Sequence, residues 1–155
     1  MKLATFIRTA ALALLAATTL AFAQERGTAD EAKALVEKGL AHVKAVGAEK
    51  AFADFSDKES GKWVSKDLYI VVLKFDGTIM AHGVNKGLVG KNLMDVRDPD
   101  GKYFSREMIE AGKKGGGWTD YGFTDPVTKK IAAKSSYSKV IPGFEGIIGV
   151  DIYKK

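Results

Sequence analysis

The chain has 155 residues, 24 Lys or Arg against 19 Asp or Glu, two His and no Cys. That length supports one domain with one core and not two. A formal charge of +5, carried by dispersed lysines, is ordinary surface charge and gives no basic stripe for nucleic acid, while the lack of Cys excludes a disulfide framework, a lipid-modified N-terminus and a thiol nucleophile.

Met1 to Arg8 carry only Lys2 and Arg8, an Ala/Leu-rich run follows from Thr9 to Leu20, and Ala21-Phe22-Ala23 closes it. This order is that of a secretory signal peptide with an A-x-A cleavage site. The apolar run is shorter than the roughly 20 residues that span a bilayer. Cleavage after Ala23 is expected, leaving a periplasmic domain over residues 24–155 with no integral membrane segment and, without Lys2 and Arg8, a formal charge of +3.

Thr28-Ala29-Asp30-Glu31 reads as a capping box. Leu35, Val36, Leu40, Val43, Val46, Phe52 and Phe55 then recur at helical spacing, which predicts one long helix from Thr28 to about Phe55 with a single buried stripe. Gly39 and Gly47 weaken that helix by about 1 kcal/mol each relative to Ala and permit close packing. Ser56 to Lys66 is polar and predicts a loop folded onto the core through Trp63. Leu68 to Phe75, the Asp76-Gly77 turn and Thr78 to His82 predict an antiparallel hairpin. Gly83 to Lys102 has no period, and Asp98-Pro99-Asp100-Gly101 is a turn. Ser105 is placed to cap a short helix through Lys113, which Gly115-Gly116-Gly117 breaks. Three further strands are predicted, Trp118 to Phe123, Lys130 to Val140 and Gly146 to Tyr153. The sum is an α+β domain with a single antiparallel five-stranded sheet, a long N-terminal helix and a helical or loop insertion between strands two and three.

Several polar groups interrupt this frame. Lys134 sits mid-strand between Ala133 and Ser135, where a partly buried ammonium needs an anion. A bound carboxylate would supply one, with Tyr137 or Tyr121 donating a hydroxyl, and so would Asp120 or Asp151. Tyr121 and Phe123 share a strand face, away from Trp118 and Asp120. His82 ends the second strand, where its side chain either borders the space under the insertion or bonds the insertion backbone. His42 reads as a flanking helix residue. Asp95, Arg97, Asp98 and Asp100 lack the alternating ligands and closing Glu of an EF-hand, and Arg97 could meet a carboxylate as a bidentate fork.

The ordered set D-L-Y-I-V-V-L-K-F-D-G-T-I-M-A-H-G, L-V-G-K-N-L-M-D-V-R-D-P-D-G-K, G-W-T-D-Y-G-F-T-D-P, K-S-S-Y and G-I-I-G-V-D-I-Y resembles the single Cache domain, type 2, over Asp30 to Tyr153. The resemblance implies a PAS-like sheet with a long N-terminal helix. It implies a pocket bordered by His82, with Tyr121, Phe123 and Pro126 in the family's aromatic pattern, although Trp is commoner than Phe at the second position. It also implies that the Asp95 to Gly101 segment closes the pocket. Asp151 departs from the family, which has a small residue there, and an Asp beside Lys134 would neutralise it.

Enzyme signatures are missing: no G-x-S-x-G elbow, no paired His at metal spacing, and no G-K-[ST] to make Gly112 to Gly117 a phosphate loop. No catalysis, cofactor or metal is expected. The reading is a sensor module that binds a short carboxylate through His82, Arg97, Tyr121, Phe123, Lys134 and Tyr137, and that signals through a membrane receptor or histidine kinase. The alternative is an envelope interaction protein with a PAS-like fold and no ligand. Replacing Lys134 by Met is expected to remove anion binding and spare the fold.

Overall fold

A computed structural model describes residues 25–125 and 128–154. The expected signal segment, its cleavage point and Pro126 lie outside the described residues. Helix α1 spans Ala29–Val46. It starts on the predicted capping box: the Thr28 hydroxyl accepts from the Glu31 N–H, and the Glu31 carboxylate accepts from the Thr28 N–H at 2.8 Å. The helix does not run on to Phe55. Gly47, with φ of 84°, leaves the helical region, and a separate helix α2 occupies Ala48–Phe55. Glycine tolerates that positive φ at no steric cost, so the position read as a weak point is a break. His42 of α1 hydrogen-bonds Asp54 of α2 at 2.8 Å and lies 4.7 Å from the Trp63 ring, which fixes the angle between the two helices.

The loop after α2 carries a two-residue strand β1 (Val64–Ser65) that sequence periodicity is too short to register. Then come β2 (Leu68–Lys74), β3 (Ile79–His82), helix α3 (Phe104–Lys113), β4 (Gly117–Thr124), β5 (Ile131–Val140) and β6 (Gly146–Tyr153). All pairings are antiparallel, in the order β1-β2-β6-β5-β4, with β3 also paired to β2. The α+β class and single antiparallel sheet hold, with β1 as a sixth strand beyond the five predicted. At the β2–β3 turn Gly77 adopts φ of 89° and the Asp76 carboxylate accepts from the Thr78 N–H at 2.8 Å, as Asp-Gly chemistry dictates. Helix α3 begins one residue before the predicted cap. Its N-cap is Tyr103, whose side chain makes no capping bond, and Ser105 sits inside the helix and buried, so the serine is not a cap.

Because side chains alternate along a strand, the sheet has two distinct faces. One packs Leu68, Ile70, Val72, Ile148 and Val150 against Val36, Val43, Phe52, Phe55 and Trp63 of the N-terminal segment. The other packs Leu73, Ile79 and Ile147 against Phe104, Met108 and Ile109 of α3, with Tyr121 and Phe123 alongside. Gly39 lets α1 lie on the first face. A Cβ there would stand 2.5 Å from Ile148 Cδ1 and 2.9 Å from Ile70 Cδ1.

Gly39→Val therefore crowds α1 against the Ile148 and Ile70 side-chain tips. Overpacking of this kind costs about 1–3 kcal/mol, and a urea denaturation midpoint equal to that of the parent would show that α1 does not depend on this close approach.

Candidate functional site

The second sheet face borders a partly open cavity of about 60 Å³ beneath α3 and the segment leading to it. A site for one water needs ~10–15 Å³ on this measure, so the space suits a small organic molecule. Its walls are mostly apolar, with Val71, Leu88, Leu93, Phe104, Met108 and Phe123 among them. Gly149 on β6 keeps the floor open. Its backbone does not require glycine, but a Cβ would meet the hydroxyls of Ser136 and Ser138 at 3.1 and 3.2 Å.

Register places the polar groups. Ser136 on β5 lies opposite Asp151 on β6, and Lys134 on β5 lies opposite Tyr121 on β4. Lys134 Nζ is 2.9 Å from Asp151 Oδ2 and donates to the Tyr69 hydroxyl at 3.1 Å, while the Tyr121 hydroxyl donates to the same Asp151 oxygen at 2.7 Å. The rings of Tyr69, Tyr121 and Tyr153 surround the ammonium at 5.3, 6.0 and 5.2 Å from their centroids, within cation–π range. Burial disfavours the Lys134 ammonium, yet Asp151 and the tyrosine dipoles outweigh it and hold the lysine firmly protonated. Burial likewise pushes Asp151 up, but Lys134, Tyr121 and Ser136 together pull its carboxyl below the usual range. Burial raises both Tyr121 and Tyr69, so each keeps its proton as a donor. The pair is thus ionised and internally neutral.

His82 borders this cavity and also bonds the insertion backbone. Its Nδ1 accepts from the Asn85 N–H at 3.1 Å and the Val84 N–H at 3.4 Å, which puts the ring proton on Nε2. The ring lies 5.0 Å from that of Tyr69, and burial lowers its pKa to about 4.

Of the predicted site residues, the structure brings together His82, Tyr121, Phe123 and Lys134. Tyr137 is three positions from Lys134 and so points to the opposite face, where its ring lies 5.2 Å from that of Trp118. Arg97 is exposed, bonded to the Tyr103 hydroxyl and stacked on that ring at 4.1 Å, away from the cavity lining. Asp120 is exposed and pairs with Lys154, which leaves Asp151 as the partner of Lys134. Asp98 does more than start the turn. It is buried, accepts from the Asp100 and Lys102 N–H groups, and reaches the Gly122 N–H at 3.2 Å, which fastens the insertion to β4. Tyr69, Ser105, Ser136 and Ser138 were not anticipated. Tyr69 carries a polar tip in an apolar strand and Lys134 an ammonium in a serine-rich one, but only strand order shows that they meet.

The sequence model of the Single Cache domain 2 family matches residues 8–155. Among curated proteins, the sensor histidine kinase MctS of Rhizobium johnstonii is 33% identical over 57% of this chain and 19% of its own length. The methyl-accepting chemotaxis protein CtpM of Pseudomonas aeruginosa is 37% identical over 39% of this chain and 11% of its own. The chain thus spans under a fifth of either relative. Among solved structures, a methyl-accepting chemotaxis protein of Vibrio parahaemolyticus superposes with a TM-score of 0.68 at 22% identity, covering 80% of this chain and 86% of that one. A structure described as the basis for carboxylic acid recognition by a Cache chemosensory domain gives 0.66 at 20% identity, covering 81% and 92%. These likenesses establish the fold. Among the described residues no helix is long and apolar enough to cross a membrane, and no acidic or imidazole cluster could hold a metal.

Two outcomes follow from the site. Lys134→Met strands the Asp151 carboxylate, so it does more than remove an anchor. Breaking a buried pair costs about 3–5 kcal/mol, the deficit shrinks on acidification as Asp151 takes a proton, and Lys134→Met/Asp151→Leu recovers most of it in urea denaturation; an unimpaired single variant would show that the pair contributes nothing to stability. His82, titrated by NMR, should stay neutral through physiological pH with a midpoint near 4. Since that folded value lies below the ordinary 6.5, its contribution is complete above pH 6.5 and is lost as pH falls towards 4; a midpoint near 6.5 would place the ring in solvent.

Proposed function

This chain belongs to the single Cache domain 2 family, and on that premise we propose that it is an exported, extracytoplasmic sensor module, freed of residues 1–23, that binds a short carboxylate beside Lys134 and reports through a membrane partner. The observation that carries this is a buried, tyrosine-caged ammonium on the wall of a mostly apolar cavity. An apolar chamber with a few convergent polar groups is the usual form of a small-molecule site. Nothing in it resembles a reacting constellation: the carboxylate and the ammonium bind each other, and the imidazole Nδ1 is occupied by backbone. The partner is a histidine kinase or chemoreceptor, the class to which the matched relatives belong by name. It would sense whichever position of the insertion the ligand favours.

Asp151 shapes the chemistry. Lys134 and Asp151 already sum to zero charge, so an entering carboxylate would leave one negative charge uncompensated in a poorly solvated chamber. The ligand therefore enters with one proton, held by itself or by Asp151. The same self-satisfied pair supports the second reading, an association module that has exchanged its ligand for an internal carboxylate.

The two readings part on pH. With one proton taken up per ligand, the Kd for propionate rises about tenfold per pH unit above ~5.5, where acid and Asp151 are both ionised. Calorimetry at pH 5.5 and 7.5 measures it. In Asp151→Gly, where Lys134 has no internal partner, binding tightens and the pH dependence disappears. No binding by the parent at either pH, with binding gained in Asp151→Gly, selects the association module.

A further inference from the structure

The polar groups of the cavity are not all accounted for by the ion pair. Ser138 on β5 and Ser105 on α3 both line it, at 0% and 1% exposure. Among the described residues neither hydroxyl has a hydrogen-bond partner. Leaving one buried hydroxyl without a partner is costly, and two at one cavity are unusual, since buried polar side chains are nearly always bonded. Alanine would fill either position without that cost if the chamber served only to pack.

The surroundings show what these hydroxyls are open to. Lys134, Ser136 and Ser138 alternate along one face of β5, and Ser138 lies opposite Gly149, whose missing side chain leaves its hydroxyl uncovered. Ser105 approaches from the other wall, on the first turn of α3. Among the described residues no charged residue besides Lys134 and Asp151 lines the cavity, so the serine end is polar and uncharged. Ser138 is the diagonal cross-strand neighbour of Asp151, a relation that spans ~7–8 Å and suits a chain of about three or four carbons between the two polar ends.

We infer that the cavity takes a ligand polar at both ends, with its acid group at Lys134 and Asp151 and an uncharged hydroxyl or carbonyl held by Ser105 and Ser138. The acid half of this statement rests on the function proposed above; the serine half does not. A group bonded to both serines joins the sheet to α3, so ligand length controls whether the insertion is held down. Fatty acids of the same length, lacking the second group, leave both hydroxyls bare and bind less well.

Four probes at pH 5.5 test this by calorimetry: butyrate against 4-hydroxybutyrate, and 1-butanol against 1,4-butanediol. The hydroxylated member of a pair should bind the parent protein at least tenfold tighter than its partner. Ser105→Ala and Ser138→Ala should each erase that preference, bind the unsubstituted probes no worse, and melt no lower than the parent. Equal binding within both pairs, or a preference that survives in both variants, overturns the serine assignment, as does a large loss of Tm that reveals a hidden structural bond. Preferential binding of the diol with no binding of either acid retains the serine end and removes the carboxylate reading; silence from all four probes removes both.

Discussion

The buried ion pair between Lys134 and Asp151 is the constraint around which the rest of this domain is arranged. Two charges taken out of water at 2.9 Å separation are tolerated only if their remaining hydrogen-bonding capacity is met nearby. Here it is met by the Tyr69 and Tyr121 hydroxyls and by three aromatic faces. Those tyrosines come from β2, β4 and β6, of which β4 and β6 flank β5 and β2 lies beyond β6, so the pair makes sense only inside the assembled sheet. It also decides the electrostatics of the chamber. A lysine alone would leave the chamber with a net positive charge, whereas the pair makes it neutral.

A division of labour between the sheet faces keeps this chemistry apart from the core. The face under α1 and α2 is filled by aliphatic and aromatic side chains, with Gly39 allowing the helix to lie close. The opposite face is underfilled at Gly149 and covered by a segment with little regular structure of its own. Two buried polar anchors hold that segment: His82 accepts from the backbone at its start, and Asp98 ties its middle to β4. Between these anchors the segment is bound to the β2–β3 hairpin by backbone hydrogen bonds, Gly90 N–H to the Ile79 carbonyl, Ile79 N–H to the Lys91 carbonyl and Leu93 N–H to the Gly77 carbonyl, while the Leu88 and Leu93 side chains line the cavity.

Much of this was legible in the chain because it depends on neighbours in sequence. The capping box at Thr28 and Glu31, the Asp76-Gly77 turn and the spans of β2 to β6 follow from local hydrogen bonding and from alternation, and they agree with the structure to within a residue or two. The break at Gly47 was harder, since the apolar stripe continues on both sides and only the backbone angle reveals it. Tyr137 is a different lesson. Its distance of three from Lys134 already excludes it from the same strand face, so the parity rule that correctly paired Tyr121 with Phe123 applied there as well. Arg97 followed the general affinity of guanidinium for carboxylate, but in this chain the nearby Tyr103 ring offers it a stacking partner at the surface.

By itself the sequence determined the class of fold, the position of the strands and the presence of one lysine in need of an anion, because propensity, periodicity and turn chemistry act over a few residues. It narrowed that anion to Asp120, Asp151 or a ligand and could go no further. Strand order decided the rest. Placing β6 between β2 and β5 brings Asp151 to Lys134 and Tyr69 to both, while α3 folding over the same face brings Ser105 to the chamber of Ser138. These meetings join residues far apart in the chain, and pairing at that range is set by the packing of the whole sheet, which no local pattern records.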